Sequence, residues 1–200
     1  RLQVHKNWDS RWFAHKKDFA RLLIEDIKIR EHVEKRFASR PTIARVEIER
    51  SANLVTVTIH TAKAGVVIGR GGSGAQELKA AIEKIYGFPS RVNIEEIKKP
   101  ELYAKLVAEN IAHQLERRIA FRRAMKMAAG SAMRSGAQGI RIEISGRLGG
   151  AERSRREKTV EGSVPLHTIR ANIDYHAARA KYPGAGIIGI KVWIYKGEAN

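Results

Sequence analysis

Residues Gly65 to Gly74 read GVVIGRGGSG, a glycine-rich bend that carries one arginine and follows a strand-like run. Where side chains are missing, backbone N–H groups can approach a ligand, and a guanidinium beside them makes phosphate the obvious guest. Two other groups of residues could do similar chemistry. Arg118, Arg122 and Lys126 recur at four-residue spacing with Arg123 beside them. Like charges at that spacing repel by a few tenths of a kcal/mol per pair in an isolated helix, so a phosphate partner explains them better than solubility alone. GRLGGAERSRR then offers Arg147, Arg153, Arg155 and Arg156 among glycines, where guanidinium forks suit bidentate phosphate contact. A flexible surface loop is the plainer alternative.

The whole chain points the same way. Its 200 residues hold 38 Lys and Arg against 21 Asp and Glu, a formal charge of +17. Such an excess repels itself in a compact fold and is normally neutralised by a polyanion. No run approaches the roughly 20 apolar residues of a membrane helix, so a membrane is the weaker partner. Absent cysteine excludes disulfides and Cys-ligated zinc and fits a reducing cytosol. The seven histidines show no metal spacing, no carboxylate cluster suggests catalysis, and no cofactor is called for. The sequence opens on Arg1, and a natural piece is expected before it.

The elements that must hold these residues follow from periodicity. Apolar positions at helical spacing from Trp8 to Phe37 (Phe19, Leu22, Leu23, Ile27, Val33) predict a long helix or two short ones, with Asp9-Ser10 as N-cap. ARVEIER (44–50) and NLVTVTIHT (53–61) alternate as strands around a turn at Ser51-Ala52-Asn53. After the bend, Leu78, Ile82 and Ile85 mark a helix stopped by Gly87, and SRVNIEEI alternates as a third strand. Lys98-Lys99-Pro100 makes a boundary between residues 1–98 and 99–200. Beyond it come two helices, the second with an apolar stripe of Phe121, Ala124, Met125, Ala128 and Ala132, then GIRIEISG, the Gly-Arg loop and an extended C-terminal half. Met125, Met127 and Met133 read as core filler, and Trp193 and Tyr195 as packing rather than base-stacking residues.

The element order decides among phosphate loops. A P-loop needs Lys and then Ser or Thr after its last glycine, but Ser73-Gly74 follows Gly72. GRGGSG is also a weak dinucleotide fingerprint. Gly69-Arg70-Gly71-Gly72 instead fits the Gly-x-x-Gly of a KH domain, set between a short helix (Val66 to Ile68) and a longer one (Gly72 to Tyr86), against which nucleic-acid backbone lies. A free KH-type RNA factor and a nucleic-acid-processing enzyme using Lys and Glu are the rival readings.

VVIGRGG, QLERRIAFRRAMK, SGRLGGAERSR, VPLHTIRANIDY and GIIGIKVWIYKGE, in this order, closely resemble the bacterial small-ribosomal-subunit protein three family. The likeness runs from Trp8 to Glu198. It implies an α+β chain, with an N-terminal type II KH domain followed by a C-terminal α/β domain. It further implies a cytoplasmic ribosomal protein, not a homo-oligomer, with two neighbouring head proteins. Its RNA partners would be the 3′ (head) domain of small-subunit ribosomal RNA and messenger RNA, at the channel by which messenger enters and beside the other proteins lining it. By position, Arg122, Arg123 and Lys126 would take the family's role in melting structured messages. The chain departs from the family's usual pattern at REKTVEGSV (156–164), at Met127 and in the longer AKYPGAGIIG loop.

Overall fold

The computed structural model describes residues 7–38, 41–51 and 54–198. The chain forms two compact units, residues 7–98 and residues 99 onward. In the first, β1 (Ser10–Arg11) runs parallel to β2 (Ile43–Arg50), which pairs antiparallel with β3 (Val55–Thr61), which in turn runs parallel to β4 (Ser90–Glu96). Three helices complete the unit: α1 (Lys16–Phe37), α2 (Ala64–Ile68) and α3 (Ser73–Tyr86). Alternation puts Val46, Ile48, Val57 and Ile59 on one sheet face, where they pack with Ile29, Val33, Val67, Leu78 and Ile82. Gly87 ends α3 in the left-handed conformation, donating to the Glu83 carbonyl. Ala52 and Asn53 of the predicted turn lie outside the described residues.

The start of this unit differs from the sequence expectation. Asp9-Ser10 does not cap a helix; α1 begins at Lys16 after His15. Asp9 and Ser10 serve tertiary contacts: the Asp9 carbonyl accepts from Ile48 N, its carboxylate accepts from Arg45, and Ser10 donates to Asp26. The α1 face also differs. Asp26, Ile29 and Val33 are buried, while Phe19, Leu23 and Ile27 remain exposed.

Asp26 is the polar centre of the unit. Fully buried, it accepts hydrogen bonds from Ser10 Oγ (2.9 Å), Trp12 Nε1 (2.8 Å), Tyr86 Oη (2.9 Å) and Arg50 Nε and Nη2 (3.1 and 2.5 Å). Arg50 also donates to Glu25 and to the Leu22 carbonyl and lies over the Tyr86 ring at 4.3 Å. Burial opposes the guanidinium charge, but the bonds to Asp26 and Glu25 outweigh it and raise the Arg50 pKa. Burial, then the Asp26 charge, pushes the Tyr86 hydroxyl well above its ordinary value.

In the second unit, α4 (Ala104–Glu116) and α5 (Phe121–Arg134) cover one face of a sheet of β5 (Gly139–Gly146), β6 (Arg155–Gly162), β7 (Ala171–Tyr182) and β8 (Gly186–Glu198). Strand order is β6-β5-β8-β7, and every pairing is antiparallel. Ile140, Ile142, Ile144, Ile190, Val192 and Ile194 face Ala108, Ile111, Leu115, Ala124, Met125 and Ala132. Pro100 begins a 3-10 turn ahead of α4 rather than α4 itself, and the Ala104 N–H at the helix start donates to Asp174 of β7. Among the described residues no helix is long and apolar enough to cross a membrane, and no His, Asp and Glu cluster could hold a metal.

Removing one partner of a buried, saturated ion pair leaves the other charge stranded. Asp26→Ala should therefore destabilise the first unit by about 3 kcal/mol or more, measured by urea unfolding of the full chain. Glu49→Ala, at an exposed pair with Arg11, should change stability by under about 1 kcal/mol.

Candidate nucleic-acid interface

The glycine loop is built by three backbone demands. Gly69, Gly71 and Gly72 all have positive φ (72°, 61° and 81°), and Gly69 couples this with ψ −178°, a region open essentially to glycine alone. Gly71 and Gly72 face open space, so their missing side chains leave room for a ligand as well as for the turn. Arg70, between them and Gly69, is exposed. A Cβ on Gly74, which sequence reasoning did not single out, would stand 2.6 Å from the Val67 carbonyl oxygen. The first turn of α3 thus lies directly on the end of α2. Nearby, Arg36 of α1 takes up the Glu77 carboxylate, and the first turn of α3 carries no acid.

In the second unit α5 buries Ala124, Met125, Ala129 and Ala132 and leaves Arg122, Arg123 and Lys126 exposed. Arg118 does not continue this row. It lies between the helices with φ 62°, in the left-handed conformation that closes α4, and its N–H donates to the Leu115 carbonyl. Met127 is not core filler but half exposed beside the cations, while Met125 is buried and Met133 packs at the core edge.

The Gly-Arg segment is also divided. Arg147 closes its own loop through Nε to the Ala151 carbonyl at 2.9 Å, and Arg153 is exposed. Arg155 and Arg156 belong to β6, so strand alternation sends them to opposite faces. Arg155 joins the helix side: it and Arg122 lie over the Phe121 ring at 5.7 and 5.5 Å and share Glu157 at 3.8 and 3.6 Å. Arg156 pairs with Glu143 at 3.1 Å on the face away from the helices. The structure therefore brings Arg155 to Arg122, and leaves Arg156 with a different surface.

Residues 28–102 match the KH domain family, and residues 111–194 match the family described as ribosomal protein S3, C-terminal domain. The chain is 56% identical over 198 residues to the small ribosomal subunit protein uS3 of Desulforudis audaxviator, covering 99% of this chain and 90% of that one. It is 55% identical over 198 residues to the corresponding protein of Shouchella clausii, covering 99% and 89%. The chain belongs to the uS3 family. This is a family of ribosomal proteins, not of enzymes, which sets aside the nucleic-acid-processing enzyme. Within a uS3 chain, α2, the glycine loop and α3 are the helix–loop–helix of the KH fold, and the α+β character expected from the sequence holds in both units.

Gly74 and Gly71 separate packing from ligand space. Gly74→Ala gains at most about 1 kcal/mol of helix propensity, but its Cβ would meet three main-chain atoms of α2 within 3.2 Å, none of which can swing aside, so overpacking costs about 3 kcal/mol and the net loss is about 2 kcal/mol. Gly71→Ala meets nothing and bears only the left-handed penalty of about 1 kcal/mol. Gly74→Ala should lower the thermal midpoint more than Gly71→Ala does, by differential scanning calorimetry.

Proposed function

We propose that this chain is a structural constituent of the small ribosomal subunit. In this reading it binds the head (3′ domain) of small-subunit ribosomal RNA, lines the channel by which messenger enters and helps to unwind structured messages. Membership of uS3, with bacterial relatives over almost the whole length, supports the ribosomal role and a place on cytoplasmic ribosomes. The observation that carries the RNA-binding role is the loop Gly69-Arg70-Gly71-Gly72: three positive-φ glycines and one exposed cation at the head of α3, in a chain of charge +17. A phosphate there would meet main-chain donors, a guanidinium and the positive end of a helix dipole.

Arg122, Arg123 and Lys126 project from a helix whose other side is core, and Arg155 adds to them. Messenger strands separated at a hairpin would be held by these cations while the ribosome advances, with no hydrolysis by this chain. Arg147 and Arg153 would meet RNA at the adjoining loop. The partners in this reading are ribosomal RNA, messenger, the neighbouring head proteins and the other proteins lining the channel, with the chain present once and no membrane involved.

Replacing Arg70 and Gly71 together by Asp sets carboxylates against phosphate while leaving the exposed loop tolerant, because Asp accepts the left-handed region better than most residues. RNA association should weaken with the fold intact by circular dichroism; parental RNA binding would make the loop structural only.

Changing Arg122, Arg123 and Lys126 to Ala should cost little stability, since all three are exposed. Subunits carrying the triple variant should translate unstructured messages near the parental rate and slow at a stable hairpin placed downstream of the start. An unchanged ratio of the two rates rejects the melting role, and failure to assemble reassigns these residues to ribosomal RNA.

A further inference from the structure

The face of the second sheet turned away from α4 and α5 has a composition of its own. Cross-strand register sets Val160, Arg141, Trp193 and Tyr175 in one row across β6, β5, β8 and β7. The next row is Lys158, Glu143, Lys191 and Ala177, and the third is Arg156, Ser145, Gly189 and Arg179. In the first row the Arg141 guanidinium lies 4.9 Å from the Trp193 ring centroid, and the Trp193 and Tyr175 rings are 5.1 Å apart at 37°. Tyr175 is 47% exposed and Val160 50%. The third row is low at its centre, because Ser145 and Gly189 bring the sheet backbone near the surface. Glycine inside a strand often marks such a close approach.

Charge decides what would cover this face. Glu143 is buried and taken up by Arg141 and Arg156, both at 3.1 Å. Lys158, Lys191 and Arg179 are exposed and pair with no carboxylate among the described residues. An aromatic and guanidinium wall beside a small-residue floor, ringed by cations of one sign, matches a polyanion whose flat bases are free to stack. A paired helix hides its base faces, whereas a single strand offers them.

We propose that this sheet face is a binding platform for single-stranded RNA, with Tyr175 stacking on a base and Lys158, Lys191 and Arg179 meeting the backbone phosphates. It goes beyond the KH loop and the α5 cations, lying on the opposite side of its sheet from α5, and it rests on the RNA-binding reading above only in its choice of polyanion.

The full chain, titrated with fluorescein-labelled polyuridylate, tests it. Tyr175→Ala should weaken binding about tenfold or more, and Tyr175→Phe, which keeps the ring, should bind as the parent does. Replacing Lys158, Lys191 and Arg179 with Gln should lower the slope of log affinity against log salt by about 2, at about 0.7 for each single-strand phosphate that no longer meets a cation. Thermal midpoints near the parent's would show that the variants fold, as expected at exposed positions. Parental affinity for Tyr175→Ala and a parental salt slope for the lysine and arginine variant would overturn the platform. The paired Asp variant at Arg70 and Gly71 is read in parallel, so a weakness of the KH reading shows separately. In assembled subunits, a photoreactive phenylalanine analogue at position 175 should join to RNA; joining to a neighbouring protein, or to nothing, would also overturn the proposal.

Discussion

The buried pairing of Asp26 with Arg50 governs the first unit. A carboxylate taken wholly out of water is costly unless each oxygen is satisfied, and here five donor groups converge on it. Those donors come from the N-terminal segment, the end of β2 and the last residue of α3. One charge thus fixes where α1, the sheet edge and the far end of α3 meet. Since α3 is a rigid rod about 20 Å long, anchoring Tyr86 also sets the direction in which its first turn carries the glycine loop. At the other end, Gly74 against the Val67 carbonyl seats the helix. The glycine loop has few side chains but is held at both ends of the helix that presents it.

Five of the chain's 21 acids sit where they quiet particular cations. Glu77 takes Arg36, Glu25 and Asp26 take Arg50, Glu143 takes Arg141 and Arg156, and Glu157 sits between Arg122 and Arg155. The exposed pairs among these contribute little stability, unlike the buried pairing of Asp26 with Arg50. Their effect is on the field: they reduce repulsion at the base of each basic group while Arg70, Arg123, Lys126 and Arg153 stay outward. Self-repulsion in a chain of charge +17 is then lowest at the packed surfaces and greatest where a polyanion would relieve it.

Much of this was readable from period and punctuation. Alternation identifies β2, β3 and β4, and Gly87 marks the end of α3 to the residue. The glycine loop was legible because its flanking elements have strong patterns. What escaped was set by tertiary partners. β1 is two residues long and has no period, so Asp9 and Ser10 looked like a cap. Asp26 interrupts an apolar stripe, and only the converging donors show why it is inside. Arg118 in the left-handed conformation broke a row of basic residues that spacing alone had extended through a turn. Arg155 and Arg156 look like part of a loop because REKTVEG alternates apolar with polar too weakly to announce a strand, and its pairing with β5 is what separates them.

The two sheets of this chain make a controlled contrast. Each has one face packed under helices and one left uncovered, as antiparallel and mixed sheets allow. In the first unit the uncovered rows are Glu49, Thr56, Arg91; Glu47, Thr58, Asn93; and Arg45, His60, Glu95. Acids there match the bases, His60 lies within 3.4 Å of both Glu47 and Glu95, and no aromatic ring beyond that imidazole is present in these rows. Such a face has no net attraction for phosphate and nothing broad on which a base can stack. In the second unit the same construction carries Trp193, Tyr175 and a surplus of Lys and Arg. Sheet architecture alone therefore does not decide whether a face suits RNA. The residues at alternate positions do: in the first unit they make a charge-matched face without broad rings, and in the second a cationic, aromatic face opposite the basic helix.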